Sequence, residues 1–149
     1  MNLHIYNWNI LRESFPKLSY TKELITDLLI RCFKEFKLKD INIVFVSSKD
    51  IKELNKEYRE VDSITDVLSF QLEENPVKGE IYICPEYIVQ QYDQYEIIRD
   101  IVHGILHLSG YDHISEFKPE DKDKEDMFVK QEDILQNITY EINSRIRKS

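Results

Sequence analysis

The sequence predicts a single α+β domain: a three- to four-stranded mixed sheet, about five helices, and a central buried helix that carries two histidines. The length of 149 residues suits one domain with a hydrophobic core of its own. Short β-branched runs alternate along the chain with segments of helical periodicity. One of these segments, residues 94–108, is apolar around most of its circumference and is therefore expected to lie inside the core.

In the first 60 residues we predict two strands and two helices. Residues 3–8 alternate weakly between apolar and polar and predict the first strand, in which His4 is an ordinary strand residue. Hydroxyl side chains at 19–21 precede a helical face that ends near residues 37–40. Residues 41–46 predict a second strand and residues 48–60 a second helix. The inward faces of the helices are Ile25, Leu28, Leu29, Cys32, Phe33 and Phe36 in the first, and Ile51, Leu54 and Tyr58 in the second.

The rest of the chain is predicted to be a hairpin followed by helices. Strands at 65–72 and 80–84 are joined by a loop at 73–79 that contains Pro and Gly. Pro85 opens a helix that runs through residue 91, and the buried helix 94–108 follows it. A charged surface loop at 116–124 then leads to a long helix at 126–147. The inward side chains of this last helix are predicted to be Phe128, Ile134, Leu135, Ile138 and Ile142.

Composition and charge narrow the class of protein. No apolar run approaches the roughly 18 residues of a membrane span, and the N-terminus lacks a signal-peptide pattern. Cys32 and Cys84 are far apart and outside any CxxC pattern, which predicts reduced thiols in a cytoplasmic protein. The net charge of −8 argues against general nucleic-acid binding. Residues 1–60 nevertheless carry eleven Lys/Arg against nine Asp/Glu, which leaves room for a local positive surface.

The segment with the clearest chemistry is His103-Gly-Ile-Leu-His107-Leu-Ser-Gly110-Tyr-Asp-His113. On a helix, His103 and His107 share one face because they are four residues apart. Gly110 can take the left-handed conformation that ends a helix, so the turned chain can bring His113 back as a third ligand. Three histidine nitrogens with one open position are typical of catalytic zinc, so we predict one Zn²⁺ ion here. A buried histidine pair with a separate surface histidine is the alternative.

Gly104 argues against a peptidase. The histidine spacing agrees with the zinc-peptidase pattern H-E-x-x-H-x-x-G-x-x-H, but Gly104 stands where those enzymes have their glutamate base. Asp112, beside the third histidine, could orient an imidazole or act as a base, although as a turn residue it needs neither role. Asp100 lies one turn before His103, where it could support a ligand or belong to a solvated helix start.

Three blocks of the sequence resemble the YbeY endoribonuclease family. Residues 103–113 resemble the family's histidine signature, and residues 54–70, with Leu-Asn-x-x-Tyr-Arg followed by Thr-Asp-Val-Leu-Ser-Phe, resemble its upstream block. Gly79-Glu-Ile81 is similar to its Gly-Asp-Ile turn. The similarity spans roughly residues 40–135. Three positions depart from the family: Ile64 replaces a usual Pro, Glu80 a usual Asp, and Arg99 a frequent His.

The resemblance implies a zinc-dependent endoribonuclease that prefers single-stranded RNA and acts in 16S rRNA 3′-end maturation and ribosome quality control. It implies that His103, His107 and His113 hold the zinc, and that Arg59 contacts RNA phosphate or stabilises developing charge. The expected partners are rRNA and ribosomal or ribosome-associated proteins, with no membrane. For Arg59, pairing with Asp62 or Asp66 at a helix end is the competing interpretation.

Two other functions stay open beside this one. The chain could be a ribosome-assembly factor in which zinc is mainly structural, or a zinc hydrolase of another substrate. In each case residues 1–149 are predicted to be one domain, and in the hydrolase interpretations that domain is metal-dependent. Thr65 and Ser69 place hydroxyls near the proposed cleft, where strand packing explains them equally well. No proton acceptor is assigned, and either water or the RNA 2′-hydroxyl could attack.

Overall fold

The structure, a computed structural model, describes residues 1–111 and 122–148 and confirms a single α+β domain. After the helix Tyr95–Leu106 the chain turns over residues His107–Tyr111, and Gly110 there takes a left-handed conformation with φ 103°. The elements in chain order are β1 (Asn2–Tyr6), α1 (Trp8–Ser14), α2 (Lys22–Cys32), β2 (Leu38–Phe45), α3 (Ser48–Arg59), β3 (Val67–Glu74), β4 (Val77–Ile83), α4 (Pro85–Ile88), α5 (Tyr95–Leu106) and α6 (Lys122–Lys148).

The four strands form one mixed sheet in the order β1-β2-β4-β3, as predicted for the sheet type. β1 pairs parallel to β2 and β2 parallel to β4, whereas β3 and β4 form the predicted antiparallel hairpin. The predicted loop at 73–79 is wrong, because the ladder continues until Glu74 pairs with Val77. Only Asn75 and Pro76, joined by a cis peptide bond, remain as the turn. β3 is therefore a long edge strand.

The two faces of the sheet carry different helices. One face packs against α2, α5 and α6 to form the main core, in which Ile43, Phe45, Ile81 and Ile83 are fully buried. Because strand side chains alternate between faces, Leu68, Phe70 and Tyr82 point to the opposite side. There Ile51 and Leu54 of α3 pack with them in a second, smaller cluster.

α5 is the buried helix that the sequence predicted, and it approaches the sheet very closely. Its side chains Ile97, Ile98, Ile101, Val102, Ile105 and Leu106 are all at most 1% exposed. A Cβ atom at Gly104 would lie 3.0 Å from both Ile81 Cδ1 and Ser69 Oγ. A Cβ atom at Gly79 of β4 would lie 2.6 Å from Leu108 Cδ1. Two glycines therefore permit the contact between the sheet and the helix that carries the histidines.

Several predicted boundaries are wrong for a common reason. Periodicity locates the apolar segments but not the hydrogen bonds that end an element. The strand predicted at 3–8 stops at Tyr6, and Trp8 opens α1, a helix that the sequence analysis did not predict. α2 stops at Cys32 although Phe33 still packs in the core, and α4 stops at Ile88 rather than at residue 91.

Two side chains that were predicted to face the core, Phe128 and Tyr58, are exposed. Phe128 is 62% exposed, and Met127 takes its place in the core because the buried face of α6 follows residues 127, 131, 134, 135, 138 and 142. Tyr58 is 60% exposed, although it shares a helical face with Ile51, seven residues earlier, which is fully buried. The predicted loop at 116–124 lies outside the described residues up to position 121, and its last three residues already belong to α6.

Two further expectations concern the cysteines and a membrane-spanning helix. Cys32 and Cys84 are both free thiols, and Cys84 is buried against the second cluster. In residues 1–111 and 122–148, no helix combines the length and the apolar character that crossing a bilayer requires.

Candidate active site

A cleft of about 560 Å³ lies over the exposed edge of β3. It brings together residues that are distant in sequence: Arg59 from the end of α3, the pair His103 and His107, and the start of the edge strand. Side chains from both faces of the sheet contribute, because the cleft wraps around the edge. Its lining is Arg59, Thr65, Asp66, Val67, Leu68, Ser69, Phe70, Gln71, His103, His107 and Leu108.

His103 and His107 direct their Nε2 atoms at each other. The two atoms are 2.6 Å apart and the rings are inclined by 72°. Two ring nitrogens approach this closely only with a proton or a cation between them, since two lone pairs repel. His113 and Asp112 lie outside the described residues, and within the described ranges no group of three His, Cys, Asp or Glu side chains is placed to hold a metal.

Gln131 on α6 orients His103. Its Oε1 atom lies 2.7 Å from His103 Nδ1, and its Nε2 atom donates to Glu132 Oε2 at 3.1 Å. An ionised carboxylate can only accept, so Glu132 forces the amide to turn its oxygen toward the imidazole. Nδ1 of His103 must then carry the ring proton. This places a lone pair on His103 Nε2, the state in which histidine binds a metal.

Arg99 completes this polar network between α5 and α6. It donates to Glu132 Oε1 at 3.0 Å and to Glu96 Oε1 at 3.2 Å. Arg99 is thus linked to His103 through Glu132 and Gln131. It stands where the family that the sequence resembles often has a histidine. Gln131, which is 8% exposed, was not among the predicted site residues. The sequence feature that could have revealed it is a polar residue on the inward face of α6, one turn before Ile134 and Leu135.

Asp100 is buried rather than part of a solvated helix start. It is 6% exposed, and its Oδ2 atom has no hydrogen-bond partner among the described residues. Burial, together with charge repulsion from the neighbouring Asp66 carboxyl and a side-chain hydrogen bond with it, raises the pKa of Asp100 to about 9. At neutral pH Asp100 is therefore a neutral acid beside Asp66, which lines the cleft.

Arg59 lines the cleft, and no carboxylate of the described residues neutralises its charge. It is exposed at the last turn of α3, and no ion pair in the described part of the chain involves it. The competing pairing with Asp62 or Asp66 is absent there; Asp62 instead lies 4.0 Å from Lys52 Nζ. Glu60, with φ 59°, ends α3 directly after Arg59 in the left-handed conformation. That conformation is uncommon for a residue with a side chain, and it ends the helix at this point.

Gly104 packs closely against two side chains. A Cβ atom at this position would lie 3.0 Å from Ile81 Cδ1 and Ser69 Oγ, so a glutamate here would require both side chains to shift. Ser69 both packs against Gly104 and lines the cleft, and Thr65 donates to Asp66 Oδ1 at 3.3 Å. Gly104 leaves the histidine pair without the glutamate that serves as general base in a zinc peptidase.

Comparisons with known proteins agree on one family. The family model described as Endoribonuclease YbeY matches residues 10–139. Proteins named Endoribonuclease YbeY include one from Thermotoga neapolitana, 44% identical over 119 residues and covering 76% of each chain. Another, from Ureaplasma parvum, is 36% identical and covers 95% of this chain and 97% of its own. A solution structure of a Thermotoga maritima protein, 30% identical, matches with a TM-score of 0.64 over 99% of this chain and 95% of that one.

Replacing Gln131 tests the orientation of His103. We expect Gln131→Leu to weaken the zinc binding that the sequence predicts by about 10- to 100-fold, because His103 loses the acceptor that fixes its tautomer. Affinity can be measured by competition with a chromophoric chelator. Gln136→Leu, at an exposed position of the same helix, is the matched control. Equal zinc affinity in the two variants would show that Gln131 does not orient the ligand.

Replacing Asp100 tests its protonation. The folded protein keeps the proton that the unfolded chain loses above about pH 4, so the free energy of unfolding falls as the pH rises toward 9. Asp100→Asn removes this loss. We expect its stability relative to the parent to increase between pH 5 and pH 8, by up to about 1.4 kcal/mol per pH unit.

Urea denaturation at the two pH values measures this difference. Asp133→Asn, at an exposed position of α6, controls for the general loss of one negative charge. A difference between Asp100→Asn and the parent that stays constant with pH would contradict a protonated Asp100.

Proposed function

The chain belongs to the YbeY endoribonuclease family, and we propose that it is a zinc-dependent enzyme that cuts single-stranded regions of rRNA. Membership of this family makes it an endoribonuclease, and its substrate is RNA. The observation that carries the finer proposal is the cleft itself, in which Arg59, which forms no ion pair with any described residue, faces the same space as His103 and His107. A permanent cation beside a pair of metal-type ligands suits a phosphodiester better than a peptide or a neutral substrate.

The residues present fit one Zn²⁺ ion. Two Nε2 atoms converge on one point, and the network from Gln131 keeps a lone pair on the first of them. Imidazole is a common zinc ligand, and we propose His113 as the third. When bound, zinc would act as a Lewis acid toward a phosphate oxygen and lower the pKa of a bound water toward about 7.

Arg59 is proposed to hold the scissile phosphate. Its planar guanidinium offers parallel N–H donors that match two phosphate oxygens, and it keeps its charge at any physiological pH. Arg59 is the last residue of α3, so the helix determines the backbone position from which its side chain extends. As the phosphate becomes more crowded and more negative in the transition state, the same donors bind it more strongly, which lowers the barrier.

The proposed biological setting is rRNA maturation at the 16S 3′ end and ribosome quality control in the cytoplasm, together with ribosomal proteins. The net charge of −8 supports this combination, since an acidic enzyme does not hold RNA by general electrostatic attraction. Specific local contacts and protein partners must then bring the substrate to the cleft.

Metal removal tests the zinc proposal and separates it from a structural role. We expect metal-depleted protein to remain folded by circular dichroism but to lose cleavage of a labelled single-stranded RNA, with recovery when zinc is added. His107→Ala should lower kcat/KM by roughly a hundredfold or more. Unfolding on metal removal would favour the ribosome-assembly alternative, in which zinc is structural. Full activity and full zinc content in His107→Ala would contradict the proposed ligand.

Replacing Arg59 tests the phosphate contact. We expect Arg59→Ala to lower kcat/KM by about 10²- to 10³-fold, as for the loss of one donor to a developing charge. Arg59→Lys should recover only part of this, because a point charge replaces a fork of donors. Zinc content should stay unchanged. Arg145→Ala, an exposed arginine on α6, serves as the control, and a similar small loss in both variants would rule out a specific role for Arg59.

A further inference from the structure

Tyr58 lies next to two residues that line the cleft, since it precedes Arg59 in sequence and its ring packs against Phe70. It lies on the inward face of α3, seven residues after the fully buried Ile51, yet it remains 60% exposed. An aromatic ring on the apolar face of an amphipathic helix is ordinarily covered. Here α3 ends one residue later, and no described part of the chain covers the ring.

The ring nevertheless packs against other aromatic rings. Its centroid is 5.2 Å from that of Phe70 with the planes inclined by 61°, and Phe70 packs in the same manner against Tyr82 at 5.8 Å and 71°. Such edge-to-face contacts are favourable and restrict ring motion. Tyr82 is itself anchored, because its hydroxyl donates to Glu80 Oε1 at 3.1 Å. The three rings form an aromatic ladder from the sheet face to solvent.

This aromatic ladder is continuous with the cleft. Phe70 lines the cleft together with Arg59 and the histidine pair, and Tyr58 is the residue immediately before Arg59. A phosphate held at Arg59 would therefore leave the attached nucleotides next to the exposed ring. A flat aromatic surface beside a guanidinium that has no ion pair among the described residues matches the two parts of a nucleotide, base and phosphate.

We propose that Tyr58 is a stacking platform for an unpaired nucleobase adjacent to the phosphate at Arg59. This inference rests on the proposed RNase function and deepens it. Bases inside a duplex are already stacked on their neighbours and cannot reach the ring, whereas bases of a single strand can be splayed onto it. The platform thereby selects single-stranded RNA without requiring a particular base, since every base has a π-face.

The test combines protein variants with abasic RNA. Tyr58→Leu should raise KM for a single-stranded RNA by roughly 5- to 100-fold, whereas Tyr58→Phe, which keeps the ring, should stay within about twofold of the parent. An abasic nucleotide at one position beside the cleavage site should weaken the parent by a similar factor. The same abasic RNA should cost Tyr58→Leu nothing further, because the ring and the base are partners. Tyr140→Leu, 70% exposed on α6, is the matched control.

A fluorescence measurement gives a readout that a structural role would not move. The added indole of Tyr58→Trp should be quenched by intact RNA and not by RNA that is abasic at that position. Equal KM in the parent and Tyr58→Leu, or an abasic penalty that persists in Tyr58→Leu, would overturn the stacking platform while RNA cleavage by the parent still stands. If the parent neither binds nor cleaves RNA, the proposed function itself fails, and the platform with it.

Discussion

The close contact between α5 and the sheet at Gly104 is the constraint on which the site depends. With no side chain at this position, the helix backbone comes close to Ile81 and Ser69. The approach sets the height of His103 and His107 above the edge of β3, and Gly79 allows Leu108 to follow with the same closeness. Cores pack at nearly crystalline density, so a shift of the helix would be transmitted to both histidines. Gly104, which stands where zinc peptidases have their glutamate, is thus also the residue that permits the close packing beside the cleft.

Polar groups buried around α5 add specificity to this packing. Arg99, Glu132 and Gln131 form a continuous network that ends on Nδ1 of His103. The buried Nε atom of Arg99 has no hydrogen-bond partner among the described residues, so the contribution of this network is orientation. Through Glu132 and Gln131 it fixes the tautomer of His103 in the cleft. Asp100 has the opposite character, since its buried carboxyl destabilises the fold as soon as it ionises. A neutral acid next to Asp66 also keeps negative charge low where a phosphate is proposed to bind.

The acidic chain and its proposed RNA substrate are compatible because the relevant charge is local. Arg59 has no carboxylate partner among the described residues, and Asp66 is the one acidic residue among the described residues that line the cleft. Surface charges separated by more than about 8–10 Å are largely screened at physiological salt. The net charge therefore bears on solubility and partner choice, and the cleft is governed by its own few groups.

The sequence by itself determined the class of fold and most of the segments, because burial leaves a periodic record in each strand and helix. It also predicted His103, His107 and His113 from their spacing and Arg59 from the family resemblance, because these are local patterns; the structure places the first two histidines and Arg59 at one cleft, and His113 lies outside the described residues. It could not reveal that Tyr58 and Phe128 are exposed, that Asp100 is buried, or that Gln131 meets His103. Each of these depends on which element lies opposite, which is a property of long-range packing. Tertiary structure alone decided that α3, the edge of β3 and α5 meet at one cleft, because glycine at 79 and 104 lets the histidine helix come close enough.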